Sequence, residues 1–220
     1  MTANAGEGFI MEYAYRFGDP RRLYLNVTNR CTNSCSFCIR YKSDSLGGAV
    51  LRGKEEPDFR MLQEAVKRQG GPEHFTEFVW CGYGEPTFRL ELIMEAADWL
   101  RMHGAAIRLN TNGHACLIHE RDVIAELAQA VDMVSVSLNA PNKERYLELC
   151  IPDLRLFEEI TGRVLAPGQL WDAMLDFLSR APSYFETVQA SVVGHALTDS
   201  EIEQSRSLTR SLGVELFRIR

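Results

Sequence analysis

A chain of 220 residues, 45% of them hydrophobic, is long enough for one sizeable α/β domain and short for two. Its 30 acidic and 24 basic side chains leave a formal charge of −6, which argues against a protein that coats nucleic acid. No apolar run reaches the length of a membrane span, and the opening MTANAGEGFIMEYAYRF has no basic segment followed by an apolar one. A cytoplasmic location without membrane attachment is therefore expected, with the six cysteines reduced and available to metals.

In chain order, MEYAYRF and RRLYLNVT flank the turn signal Gly18-Asp19-Pro20 and read as a hairpin. Residues 1–20 are expected to form an N-terminal extension and residues 21–220 the main domain. Residues 40–56, RYKSDSLGGAVLRGKEE, are long for a connection and read as a lid or a protein-docking loop, with unstructured padding as the alternative. Pro57 and Asp58 open a helix carrying Met61, Leu62, Ala65 and Val66. The strand TEFVW (76–80) follows, and then a helix over 90–102 with apolar residues at helical spacing. Strands AIRLN (106–110), DMVSVSL (132–138), TVQASVV (187–193) and VELFRIR (214–220) alternate with helices over 120–130, 143–150, 168–180 and 198–212. Repeated βα units imply parallel strands covered by helices. Six strands from RRLYLNVT onward predict a partial (β/α)6 TIM-like barrel rather than a complete one of eight.

In such a fold, functional groups gather at the C-terminal strand ends. Here four consecutive strands end in polar or glycine-rich sequence: the NRCTNSCSFCIRY stretch after LYLNVT, then CGYGEP, TNG and NAP. The first contains Cys31, Cys35 and Cys38, spaced C-x3-C-x2-C. A zinc site normally closes with four protein ligands, and Cys81, Cys116 and Cys150 are singletons at unrelated spacings. A [4Fe–4S] cubane also needs four ligands; three thiolates leave one iron for a non-protein ligand. Three thiols of a zinc site completed by a distant histidine remain the alternative. In SVSLNA, Ser135, Ser137 and Asn139 alternate with Val136 and Leu138, so the polar set shares one face.

C-x3-C-x2-C with Phe37 before its last cysteine resembles the signature of the radical S-adenosylmethionine (SAM) superfamily. The resemblance runs from about Arg21 to Arg220 and implies a partial (β/α)6 barrel. It also implies a [4Fe–4S] cluster that binds the SAM amino and carboxylate groups. Reductive cleavage then produces a 5′-deoxyadenosyl radical that abstracts hydrogen from a substrate. On the same resemblance, Tyr83, Gly84 and Glu85 would meet the SAM ammonium, and Asn110 and Asn112 the ribose. Ser137 and Asn139 would hold ribose and carboxylate, and Val193 or Val192 would wall the adenine. His195 is read as an exposed loop histidine, Cys81 as a buried thiol at a strand terminus, and Cys116 and Cys150 as packing residues.

GYGEPTFR, LNTNG, VSVSLNAP and the closing GVELFRIR are similar to the radical SAM family linked with TatD-type nucleases. That likeness implies a tie to such a nuclease. The superfamily implies an electron donor of flavodoxin or ferredoxin type. The substrate is open: a protein, as for glycyl-radical activating enzymes, or a small molecule, as for 7-carboxy-7-deazaguanine synthase. No dedicated site for a substrate carboxylate stands out in the sequence. A non-enzymatic zinc or iron–sulfur module partnering the nuclease is the rival class, and direct nucleic-acid binding is not expected.

Overall fold

The computed structural model describes residues 11–220. Seven strands form one sheet: β1 (Ala14–Tyr15), β2 (Arg22–Leu25), β5 (Glu77–Trp80), β6 (Ala106–Thr111), β7 (Met133–Ser137), β8 (Thr187–Val192) and β9 (Leu216–Ile219). They lie side by side in that order, with β1 antiparallel to β2 and every later pair parallel. The expected hairpin and six parallel strands are both present. The outer strands β1 and β9 do not pair with each other, so the barrel stays open along one side.

Helices return the chain between parallel strands. α1 (Phe59–Arg68) precedes β5, and α2 (Leu90–Arg101) joins β5 to β6. α3 (Ala115–Ile118) and α4 (Ile124–Ala130) lead to β7. α5 (Lys143–Leu149), α6 (Leu154–Thr161) and α7 (Gly168–Arg180) lead to β8, and α8 (Asp199–Ser211) leads to β9. Their starts follow from capping chemistry. The Asp58 carboxylate accepts from the Met61 amide at 2.8 Å, and Thr198 and Glu201 cap α8 reciprocally.

Two features go beyond the sequence reading. For residues 40–56 the alternative of unstructured padding does not hold: a 3₁₀ turn, Ile39–Tyr41, leads into a small antiparallel hairpin of β3 (Ser45–Leu46) and β4 (Ala49–Val50). The basic residues there act as braces, Arg40 donating to the carbonyls of Asn29 (2.9 Å) and Asn33 (2.7 Å), and Arg52 to that of Arg40 (2.7 Å). The second is α6, which was not anticipated. It is a short helix capped by Asp153 and stopped by Gly162 in the left-handed region at φ 69°.

The sheet has two unlike faces. Leu23, Leu25, Phe78, Trp80, Ile107, Leu109, Val134 and Val136 point toward the helices and are fully buried. The alternate residues, among them Arg22, Glu77, Arg108, Asn110, Ser135 and Gln189, point into the lumen. Among the described residues, no helix is long and apolar enough to cross a membrane.

Candidate active site

At the C-terminal ends of the strands lies a cavity of about 330 Å³. All twelve residues singled out from the sequence line it. Cys31, Phe37, Cys35 and Cys38 come from the loop after β2, and Tyr83, Gly84 and Glu85 from the turn after β5. Asn110 and Asn112 lie at the end of β6, Ser137 and Asn139 at that of β7, and Val193 after β8. Sequence reading did not place Tyr15, Leu46, Leu51, Thr111 or Arg220 there. Cys81, read as a buried thiol at a strand terminus, also lines the cavity, whereas His195 is exposed on its loop as expected.

The turn after β5 is shaped by the chain beside it. A Cβ on Gly84 would collide with the Arg30 carbonyl, and one on Gly82 with the Asn26 amide oxygen. Glycine is required here by the neighbouring backbone as much as by any ligand. The amides of Tyr83, Gly84 and Glu85 donate to Asn26 Oδ1 (2.9 Å), Thr28 O (2.9 Å) and Arg30 O (2.7 Å). The carbonyl oxygens of Gly82 and Tyr83 receive no donor among the described residues. The Tyr83 side chain turns away from this backbone, its hydroxyl accepting from Arg52 and donating its one proton to the Ser43 carbonyl (3.0 Å), with the Arg40 carbonyl 3.2 Å away.

Glu85 is 3% exposed. Its Oε1 accepts from the hydroxyls of Thr87 and Thr111, each at 2.8 Å, and its Oε2 from the Asn112 amide at 2.7 Å. Burial nevertheless raises its pKa above the ordinary carboxylate value, against those hydrogen bonds. The expected free acceptor is thus largely spent on tying the β5 turn to the end of β6.

A buried relay continues from there into the cysteine loop. Asn112 Nδ2 donates to Thr32 Oγ1 (2.8 Å), and Thr32 meets His114 Nδ1 at 2.7 Å. His114 Nε2 lies 3.2 Å from the Tyr146 hydroxyl. With the Asn33 amide oxygen turned to that hydroxyl at 2.8 Å, its nitrogen reaches the Thr32 and Cys150 carbonyls. One proton order satisfies the chain: Thr32 donates to Nδ1, Nε2–H donates to Tyr146, and Tyr146 donates to Asn33. It requires a neutral imidazole, and burial lowers the His114 pKa to about 3.

The cysteine loop is also held by backbone pairing: Ser34 N donates to Ile151 O (2.7 Å) and Ser36 N to Leu149 O (2.9 Å). Burial pushes the Cys31 thiol up to about 12. A hydrogen bond with Cys150, and then burial, raise Cys35 further. Cys150 also accepts from Asn139 Nδ2 at 3.6 Å, so it is more than packing. Asn139 itself sits in the left-handed region at φ 59°, a conformation uncommon outside glycine.

These features fit an iron–sulfur cluster and a nucleoside. Buried thiols such as those of Cys31 and Cys35 become thiolates when a metal takes the proton's place. Cys31, Cys35 and Cys38 line one cavity, and three thiols spread around a cavity suit a polynuclear group. Asn110 Oδ1 is buried without a hydrogen-bond donor among the described residues, and such an atom calls for a partner such as a bound ligand.

An open parallel barrel with three such cysteines at its mouth defines a class of cofactor-dependent barrel proteins. The chain belongs to the radical SAM superfamily, a superfamily of enzymes, whose sequence profile matches residues 25–209. Membership implies SAM and an iron–sulfur cluster. No curated protein matches the chain. Among solved structures, it resembles Streptococcus suis SuiB bound to its precursor peptide SuiA (13% identity, TM-score 0.62), covering 91% of this chain and 39% of that one. An archaeal TYW1 follows at 12% identity and TM-score 0.52, covering 91% and 65%. HydG, a maturase of the [FeFe]-hydrogenase, gives 12% and 0.54, covering 87% and 37%. SuiB has also been solved with S-adenosylmethionine. The chain spans only part of the length of each, and at these identities the likeness is one of fold.

Proposed function

We propose that Cys31, Cys35 and Cys38 hold a [4Fe–4S] cluster whose fourth iron binds SAM, and that the protein is a hydrogen-abstracting radical enzyme. When bound, the reduced cluster would supply the electron that cleaves SAM to methionine and a 5′-deoxyadenosyl radical. The observation that carries this reading is the convergence of three thiols from one loop and five strand ends on one cavity, whose fourth cysteine, Cys81, stands apart from that loop at the end of β5. Each group then has a task. The carbonyls of Gly82 and Tyr83 accept from the SAM ammonium, while Glu85 keeps their turn in place. Asn110, Asn112, Ser137 and Asn139 serve the ribose hydroxyls and the carboxylate, and Phe37 and Val193 flank the adenine. The polar groups face a half-buried cavity, where water competes poorly for them.

The TatD-linked subfamily remains the finer reading on motif grounds, with a TatD-type nuclease as functional neighbour and a flavodoxin or ferredoxin as electron donor. The test is anaerobic reconstitution with iron and sulfide. We expect about four irons per chain, visible absorption bleached by dithionite, and 5′-deoxyadenosine formed from SAM. A reconstituted, reduced protein that leaves SAM intact would refute the reading. Stoichiometric zinc with no bleachable absorption would favour the rival metal module.

A further inference from the structure

We propose that the barrel lumen below the cofactor cavity binds an oxyanion of the substrate, a carboxylate or a phosphate, through Arg218 of β9 and Arg220, the residue after it. The assignment of that oxyanion to a substrate rests on the radical SAM reading above; the existence of the site does not.

The lumen is cationic although the chain is acidic, with formal charge −6. Arg22, Arg108, Arg218 and Arg220 stand on the lumen face, against Glu77 as the acidic side chain of the strands. Glu77 is fully used: Arg22 lies 2.6 Å from one of its oxygens and Arg108 3.0 Å from the other. The Arg108 side chain is 6% exposed there, so this triad closes the floor of the barrel.

Nothing comparable neutralises the edge strand. Phe217 packs toward the helices under the Arg206 guanidinium, 4.7 Å from its ring, and Ile219 is the atom group that a side chain on Gly194 would strike. Alternation therefore puts Arg218 and Arg220 on the lumen side, about 7 Å apart along the strand. Neither forms an ion pair among the described residues. Arg220 is anchored instead by neutral groups, donating to Asn139 Oδ1 at 3.0 Å and Ser137 Oγ at 3.3 Å. Burial, and the like charge of Arg218, hold its pKa below the ordinary guanidinium value.

Two like charges side by side, both exposed to the open lumen and without a carboxylate partner among the described residues, repel each other, and a bound anion would relieve that repulsion. Arg220 already lines the cofactor cavity, whereas Arg218 lies one lumen position deeper and outside its lining. An oxyanion bridging them would hang the rest of a small substrate beneath the mouth. Ser135 and Gln189, polar lumen side chains with no protein hydrogen bond among the described residues, are available to it.

The experiment uses cluster-reconstituted protein with saturating SAM, titrated anaerobically by calorimetry with sodium phosphate and, separately, sodium succinate at constant ionic strength. We expect one of the two to bind, which distinguishes phosphate from carboxylate. Arg218→Gln should weaken that binding at least tenfold, and Arg218→Lys should restore part of it. Arg60→Gln, an exposed control on α1, should change nothing. SAM affinity should move less than twofold in Arg218→Gln. Absence of binding by both anions, or binding to Arg218→Gln as tight as to the wild type, would overturn the proposal. So would a parallel loss of SAM affinity, because Arg218 would then belong to the cofactor site. If phosphate or succinate binds through Arg218 but no 5′-deoxyadenosine is made from SAM, the anion site stands and the radical reading falls.

Discussion

The two faces of the central sheet obey opposite rules. Toward the helices, β2, β5, β6 and β7 present leucine, phenylalanine, tryptophan, isoleucine and valine, all fully buried. Toward the lumen the same strands present arginine, glutamate, asparagine and serine beside Tyr24, Val79 and Met133. Burying apolar area on the outer face stabilises the fold at roughly 25 cal/mol per Å². Burying polar groups on the inner face costs stability unless each finds a partner. Asn110 Oδ1 has found none among the described residues. Stability is thus concentrated in one face, and binding capacity is held, at some cost to stability, in the other.

The sharpest way to separate the faces is to remove a thiol. Cys31→Ala, Cys35→Ala and Cys38→Ala should each abolish iron retention after reconstitution while leaving the circular dichroism spectrum of the fold intact. Cys81→Ala should keep the iron. Equal iron loss from all four would show that the metal site has been misassigned.

The outer face should give the reverse result. Leu109→Ala empties space between β6 and the helices and should cost about 2–5 kcal/mol in urea unfolding. Folded protein at low temperature should still reconstitute its cluster. A Leu109→Ala protein as stable as the wild type would mean that the outer face is not where the folding energy lies.

His114 joins the two faces, and its signature is pH. The folded protein keeps the ring neutral down to about pH 3, whereas the unfolded chain protonates it near 6.5. Below pH 6.5 the unfolded state binds the extra proton, so acid destabilises the fold. The loss is about 1.4 kcal/mol per pH unit, or about 2 kcal/mol on going from pH 6.5 to pH 5. Comparing unfolding midpoints at these two pH values in wild type and His114→Gln should show a shallower drop in the variant; equal drops would remove His114 from the account.

Gly84→Ala should act on the inner face alone. A methyl forced against the Arg30 carbonyl would displace the β5 turn, and SAM affinity should fall by roughly tenfold or more, about 1.4 kcal/mol, with iron content unchanged. The smallest effect is expected from Thr198→Ala, far from the cavity. Losing the reciprocal cap of α8 should cost about 1 kcal/mol in stability and leave SAM binding unaltered.

Much of the site was legible from local patterns. The cysteine spacing, the turn sequences after three strands and the two-residue alternation of Ser135, Ser137 and Asn139 are all short-range signals. Parallel βα order alone brings such strand ends together. The same alternation in VELFRIR could have placed Arg218 and Arg220 in the lumen, but an arginine at a strand end reads equally well as solvated. The hairpin at β3 and β4 was hidden because its strands have two residues each and no periodicity to detect. The tasks of Glu85 and Gly84 were hidden because their partners, Thr111, Asn112 and the Arg30 carbonyl, lie on other segments.

By itself, the amino-acid order determined the alternation of strands and helices, the polar and apolar faces, and the set of side chains at the barrel mouth. Each of these depends on neighbours within a few residues, where backbone geometry is regular. Tertiary structure alone decided which polar groups are spent inside the protein and which remain open. It ties Glu85 into the β5–β6 junction, runs the His114 relay beneath the cysteine loop and, among the described residues, leaves Asn110 Oδ1 without a donor and Arg218 and Arg220 without a carboxylate. Hydrogen bonding and charge pairing act across space between segments far apart in the chain, so their balance exists only once the barrel has formed.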